Sequence, residues 1–283
     1  MFLESLINFT MTKIYDLHND YFVEIRNHKL KEKYLSKANK QGLFNVCSAV
    51  WTTTMTEMQA FACITQARSF ASKHNINYSV EDLHFVNLDN VESLVSLGPI
   101  YTGLTWNEQN NLACGSHGVG DVTKLGKDII NILENNNIQI DTAHLNEKSF
   151  LTFANITQKP ILCSHTAFST KSNHSRNLKD YQLKIISESG GLIGLALVSD
   201  FLNSEKQATV NDIITHIDYF VSRYGIDSIA LGTDFYGTTN LPRGIKAYKD
   251  LSKVYNKLIK MGYTNDAIEK IFFKNAQEFF DKK

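Results

Sequence analysis

Proline is scarce in this chain: there are three in 283 residues, Pro99, Pro160 and Pro242, and no Pro/Gly/Ser-rich stretch or composition break divides it. A chain with no linker reads as one domain, taken here as residues 1–283. An excess of charge of one sign is missing as well, since Lys plus Arg and Asp plus Glu both total 29. That removes the electrostatic footprint expected for nucleic acid or an anionic membrane and points to a small neutral or zwitterionic ligand. No run approaches the ~20 apolar residues of a membrane span. Cys47, Cys63, Cys114 and Cys163 form no CxxC pair, which argues against a zinc ribbon or a thioredoxin-like motif and leaves buried free thiols. The opening "MFLESLINFTMTK" lacks a basic start, and Glu4 breaks its short apolar run, so it makes a poor signal peptide. A cytoplasmic protein is expected, with Met11 as an alternative start.

What the chain does have is rhythm. Short apolar runs recur eight times: "KIYDLH", "LFNVCSAVW", "INYSVEDL", "PIYTGLTW", "IQIDTAHL", "PILCSHTA", "GLIGLALV" and "SIALGTDF". Between them lie segments such as "MTEMQAFACITQARSFASKH" and "VNDIITHIDYFVSRYG", whose apolar residues recur at three and four. This alternation predicts an α/β protein with a closed parallel (β/α)8 TIM barrel. A doubly wound open sheet is the alternative, but no glycine-rich phosphate loop follows the first strand. Pro99 and Pro160 sit just before predicted strands, where a missing N–H is tolerated. "TNDAIEKI" reads as a capped start among the closing helices.

The polar residues are placed unevenly. In "KIYDLHNDYF" an apolar strand ends in His18 and Asp20, which share strand parity and should converge on one point. Alone, such a pair could be an Asx turn. Glu81, His144, His165 and Asp234 also fall at the ends of predicted strands, and in a (β/α)8 barrel those ends form the active-site face. Buried together, such groups cost free energy unless they are paired or bound to metal. More ligands than one tetrahedral zinc needs suggest two divalent metal ions, sharing a carboxylate and about 3.5–4 Å apart. Cys163 shares parity with His165 and should point into the barrel. Asp141 has the opposite parity to His144 and stays outside the ligand set. His28, His74 and His174 lie in polar stretches and read as exposed. His216 reads as a helix residue orienting its neighbours, and His84 and His117 fall in loops at the catalytic face.

These landmarks resemble the membrane (renal) dipeptidases, amidohydrolase-type metal-dependent TIM-barrel hydrolases. The similarity runs from Tyr15 to Phe280 through "DLHND", "VEDLHFV", "GLTWNEQN", "IDTAHL", "PILCSHTAFSTKSNHSRNLKD", "GTDFYG" and "IEKIFFKNAQEFF". The resemblance implies that His18, Asp20 and Glu81 hold one Zn2+ and that Glu81, His144 and His165 hold the other, with Glu81 bridging. It implies a metal-bridging hydroxide as nucleophile, Asp234 as the catalytic proton shuttle, and Arg176 as the clamp for the substrate carboxylate. Two positions depart from the family pattern. Trp106 stands where the family carries a histidine that contacts the scissile carbonyl oxygen, and indole can only donate one hydrogen bond. Tyr236, in "DFYG", replaces a carboxylate near the mouth. The expected activity is hydrolysis of small dipeptides. Trp106 motivates the alternatives, which are a related two-metal enzyme for an N-acyl amino acid or other small amide, or a non-catalytic small-molecule-binding barrel. The resemblance also implies a possible homodimer.

Overall fold

The computed structural model describes residues 13–27 and 32–282. The N-terminal segment weighed as a signal peptide, Met11 and His28 all lie outside the described residues. Eight strands close into a parallel barrel in sequence order. They are β1 (Ile14–Asn19), β2 (Leu43–Trp51), β3 (Asn77–Glu81) and β4 (Tyr101–Gly103), then β5 (Gln139–Asp141), β6 (Leu162–Thr166), β7 (Leu192–Leu195) and β8 (Ile229–Leu231). The alternation of elements expected from the sequence is therefore the (β/α)8 order. β4, β5 and β8 are three residues each and β7 is four, all shorter than their apolar runs.

Several helices start where a side chain satisfies one of the first free N–H groups. Thr56 with Gln59 forms a capping box on Glu57–His74, and Thr209 with Asp212 does so on Val210–Tyr224. Thr264 caps Asn265–Glu269, as the "TNDAIEKI" pattern predicts. On Glu57–His74 the stripe Ala60, Cys63, Ile64, Ala67 and Ala71 is buried at helical spacing. Among the described residues no helix is long and apolar enough to cross a membrane.

Two apolar layers result. The larger lies between strands and helices and includes Ile14, Val46, Val80, Ile140, Cys163 and Ile193. The smaller fills the barrel interior with Tyr15, Leu17, Cys47, Tyr101, Leu162 and Leu192, together with Ala276 and Phe280 from the C-terminal helix Asn275–Asp281. Phe280 stacks on Tyr15 at 5.9 Å and on Tyr101 at 6.5 Å, so that helix stoppers the end of the barrel opposite the cleft. The layers correct one expectation. Cys163 packs in the outer layer and its neighbour Leu162 faces the interior, the reverse of the parity assignment. All four cysteines are buried and free.

The reason is a pair of register shifts, one between Asp16 and Asn19 against β2, the other between Cys163 and Thr166 against β7. Each breaks strict alternation just before a histidine. On β1, Tyr15 and Leu17 face inward and so, one residue later, does His18; on β6 the inward side chains are Leu162 and then His165. The irregularity turns each imidazole toward the barrel mouth.

Candidate metal centre and active-site cleft

The residues predicted as ligands come together in two buried trios that share one member. His18, Asp20 and Glu81 form the first; Glu81, His144 and His165 form the second; within each, the donor atoms lie within 4.8 Å of one another. His18 Nε2 is 3.4 Å from Asp20 Oδ2 and 3.9 Å from Glu81 Oε2. His144 Nε2 is 2.5 Å from Glu81 Oε1 and 2.9 Å from His165 Nε2. Asp234 Oδ1 joins the group 4.0 Å from His18 Nε2.

The orientation of the three imidazoles is fixed from behind. Tyr101 donates its hydroxyl to the Leu17 carbonyl at 2.8 Å, so it accepts from His18 Nδ1 at 3.2 Å. Asn107 Oδ1 accepts from His144 Nδ1 at 2.8 Å. Ser164 donates to Asp141 Oδ2 at 2.5 Å and accepts from His165 Nδ1 at 2.9 Å. Each ring thus has Nδ1 engaged from behind and aims Nε2 at the common centre, the arrangement that outer hydrogen-bond partners give to metal-ligating histidines. Tyr101, Asn107, Ser164 and Asp141 are the functional residues that sequence reading missed. Asp141 stays outside the trios, as expected, but it supports one of them. No motif marks such residues, because any hydroxyl, amide or carboxylate in reach can serve.

The electrostatics of the cluster call for a cation. Burial, with help from Arg176 and His18, holds His144 well below the usual imidazole range. Burial does the same to His165, with His18, His144 and Arg176 adding to it. Two bare imidazole nitrogens therefore face each other at hydrogen-bond distance. Burial also opposes a charge on His18, but the close carboxylate of Asp20, then the charges of Glu81 and Asp234, outweigh it and lift the ring to about 10. Its Nε2 has no well-aligned hydrogen-bond partner among the described residues. A set of carboxylates and imidazoles in this arrangement suits divalent zinc. Burial first, then the neighbouring Asp20 charge, push Asp234 well above the ordinary carboxylate range.

The backbone around the cluster is held in unusual conformations. Seven described non-glycine residues have positive φ, and Asp82, His144, Asp234 and Tyr236 among them surround the cleft. Such conformations cost of order 1–3 kcal/mol each and persist where the surroundings over-determine them. Here they do. Asp82 accepts from Thr53 Oγ1 at 2.7 Å and Asn110 Nδ2 at 2.9 Å, which ties together the loops flanking Glu81. Asp16 accepts from Thr233 N at 2.7 Å and Tyr248 Oη at 2.6 Å, while Asp234 N donates to the His18 carbonyl at 3.0 Å. These bonds lock the β8 turn against β1.

Gly237 follows from the same crowding. A Cβ there would overlap Asp20 Oδ2 and lie 2.5 Å from Asp234 Oδ1. Gly237→Ala is expected to weaken metal affinity by roughly 10–100-fold, comparable to the loss of an outer partner. Metal titration by calorimetry checks this, and unchanged affinity would mean that the turn gives way at no cost.

The cleft over the cluster has a volume of about 390 Å³. Arg176 is buried at its edge, with Nη2 donating to His165 Nε2 at 2.9 Å and the guanidinium 5.5 Å from the Phe201 ring centre. Trp106 lines the cleft, 6.2 Å from the His144 ring. Tyr236 is half exposed at the mouth, edge-on to Tyr21 at 5.9 Å. Two histidines expected to be exposed are half-buried instead: His174 lines the cleft and packs tilted against Phe201 at 4.6 Å, and His74 packs tilted against Phe70 at 4.2 Å. Their polar sequence neighbours hid the aromatic partners supplied by other segments. His117 stands on the rim, paired with Glu108 at 3.0 Å, while His84 bonds the Met55 carbonyl at 2.9 Å. His216 accepts from Phe168 N at 3.2 Å and reaches the Leu202 carbonyl at 3.1 Å, the orienting role predicted for it.

Known proteins match this picture. The family model of membrane dipeptidase, Peptidase family M19, matches residues 30–282. An uncharacterised protein of Klebsiella pneumoniae, from the pqqA 5′ region, is 31% identical over 192 residues, covering 64% of this chain and 69% of that protein. An uncharacterised dipeptidase of Schizosaccharomyces pombe is 27% identical over 221 residues, 73% of this chain; the match spans about half of that relative, 52%. Among solved structures, a metallo peptidase from Rhodobacter sphaeroides, liganded with a phosphinate mimic of the dipeptide L-Ala-D-Ala, shares the fold with a TM-score of 0.84. Its identity is 19%, covering 96% of this chain and 99% of that one. With a family match over residues 30–282, which takes in seven of the eight strands, the chain belongs to the membrane dipeptidase family, peptidase family M19, a family of metal-dependent dipeptidases.

Proposed function

We propose that the protein hydrolyses small dipeptides with two zinc ions, one held by His18, Asp20 and Glu81 and the other by Glu81, His144 and His165. The observation that carries this reading is Glu81, shared by both buried trios, with three imidazoles held from behind so that their Nε2 atoms converge on the cluster. When bound, such cations supply Lewis acidity, lowering the pKa of water and polarising a carbonyl.

The chain's own residues do the rest. Arg176 presents a rigid forked donor to the substrate's terminal carboxylate and so sets where the peptide bond lies. Asp234, beside Asp20 in the locked β8 turn, takes the proton of the attacking water and returns it to the nitrogen of the leaving amine as the C–N bond breaks. Tyr101, Asn107 and the Ser164–Asp141 pair hold the imidazole rings still throughout, so no reorganisation is needed at the moment of reaction. Trp106 can donate through its indole N–H but cannot exchange a proton, so it serves binding alone. The phosphinate dipeptide mimic bound by the Rhodobacter relative supports tolerance of a D-residue at the carboxyl end.

Zinc-reconstituted protein incubated with a pool of dipeptides bearing L and D C-terminal residues should release free amino acids, detected by mass spectrometry. A chelator should stop the release. Intact dipeptides after incubation with fully metal-loaded protein would sink the dipeptidase reading.

A further inference from the structure

We infer that Trp51 and Trp106 form a fixed subsite that selects substrates with a large apolar or aromatic group on the N-terminal side of the bond to be cleaved. The inference rests on the dipeptidase reading and adds the class of residue accepted. The chain has two tryptophans in all, and both line the cleft above the ligand cluster. Trp51 ends β2 and Trp106 lies in the loop after β4, so they flank β3 and its terminal Glu81. Their rings meet edge to face, with centres 5.4 Å apart and planes at 68°. Both are half-buried, which leaves indole surface for a ligand.

The wall they make is held in place. A Cβ at Gly115 would overlap the Trp106 carbonyl and lie 2.5 Å from that of Asn107, so the returning loop presses on the backbone that carries the indole. His117 N also donates to the Asn107 carbonyl at 2.9 Å. The next residue, Asn107, is the partner of His144, so wall and ligand share one support.

Direction follows from the barrel. Arg176 and Phe201 come from segments after β6 and β7, across the closed barrel from the β2 to β4 side. A substrate with its carboxylate on Arg176 and its scissile carbonyl over the cluster extends its N-terminal residue toward the tryptophans. Among the described lining residues the carboxylates are Asp20, Glu81 and Asp234, all in the cluster. The tryptophan wall therefore offers dispersion and ring edges, with no added anion for a cationic side chain. Aromatic pairs with centres about 4.5–7 Å apart are the interaction such a wall provides.

The test compares kcat/KM for Phe-D-Ala, Leu-D-Ala, Gly-D-Ala and Lys-D-Ala in the zinc-loaded enzyme and in Trp51→Ala, Trp106→Ala and the ring-retaining Trp51→Phe and Trp106→Phe variants. The wild type should favour Phe over Gly by roughly 10–200-fold, the range a hydrophobic pocket supplies. That ratio should fall toward one in the alanine variants and recover in the phenylalanine variants. In parallel, a phosphinate mimic of Phe-D-Ala should shift the tryptophan emission saturably, and the Gly-D-Ala mimic should not. Cleavage without preference, or a preference that survives both alanine variants, overturns the subsite and leaves the dipeptidase reading intact. Should no dipeptide be cleaved, the dipeptidase reading fails and the emission titration decides alone: a shift specific to the Phe mimic supports the subsite, and equal or absent shifts overturn it.

Discussion

Replacing Glu81 with Gln is expected to lower bound metal from about two ions per chain to fewer than about one and to abolish turnover, because this carboxylate belongs to both candidate ligand trios. Glu81 approaches His144 Nε2 at 2.5 Å through one oxygen and His18 Nε2 at 3.9 Å through the other. Glutamine keeps the size but can offer only one oxygen, and its NH2 would turn toward the second cation. The loss in affinity should exceed the roughly 10–100-fold typical of removing an outer hydrogen-bond partner. Metal analysis after dialysis gives the stoichiometry. Thermal melts give a second reading, since a ligand that binds the native state raises the melting temperature. Zinc should stabilise the wild type and leave Glu81→Gln nearly unmoved. Full occupancy of both positions in the variant would show that Glu81 does not bridge.

Asp234→Asn separates chemistry from metal binding. Asp234 lies outside both trios, so the variant should keep its metal while kcat falls by about 10²–10⁴-fold, the range for losing a positioned acid–base group. The substitution suits the backbone, because φ at this position is +58° and asparagine tolerates that region well. The amide N–H to the His18 carbonyl, at 3.0 Å, is untouched. A drop in turnover at constant metal content and constant melting temperature would assign the proton transfer to this carboxylate. Wild-type turnover would remove that role.

The sequence was most readable where the signal is local and repeated. Eight apolar runs separated by helical spacing are enough to infer the barrel, and ionisable residues at strand ends mark its working face. Strand parity was less dependable. It correctly paired His18 with Asp20, yet placed Cys163 on the wrong side, because a register shift lies between Cys163 and Thr166. Such a shift depends on how one strand meets the next, and a single segment does not record it. The outer partners were silent for a different reason: Tyr101 is 83 residues from His18, and Asn107 is 37 from His144. The half-buried state of His174 likewise depends on Phe201, a partner that a reading of its polar neighbours cannot supply.

The aromatic stopper at the foot of the barrel ties the helix Asn275–Asp281 to the candidate ligand cluster at the mouth. Phe280 stacks on Tyr101, whose hydroxyl in turn holds His18, so the last helix stands two contacts behind the first ligand. Without residues 275–281 the Tyr101 ring behind His18 loses its aromatic floor. A chain lacking this helix is expected to bind metal more weakly even though it keeps every candidate ligand, which metal analysis after dialysis would check.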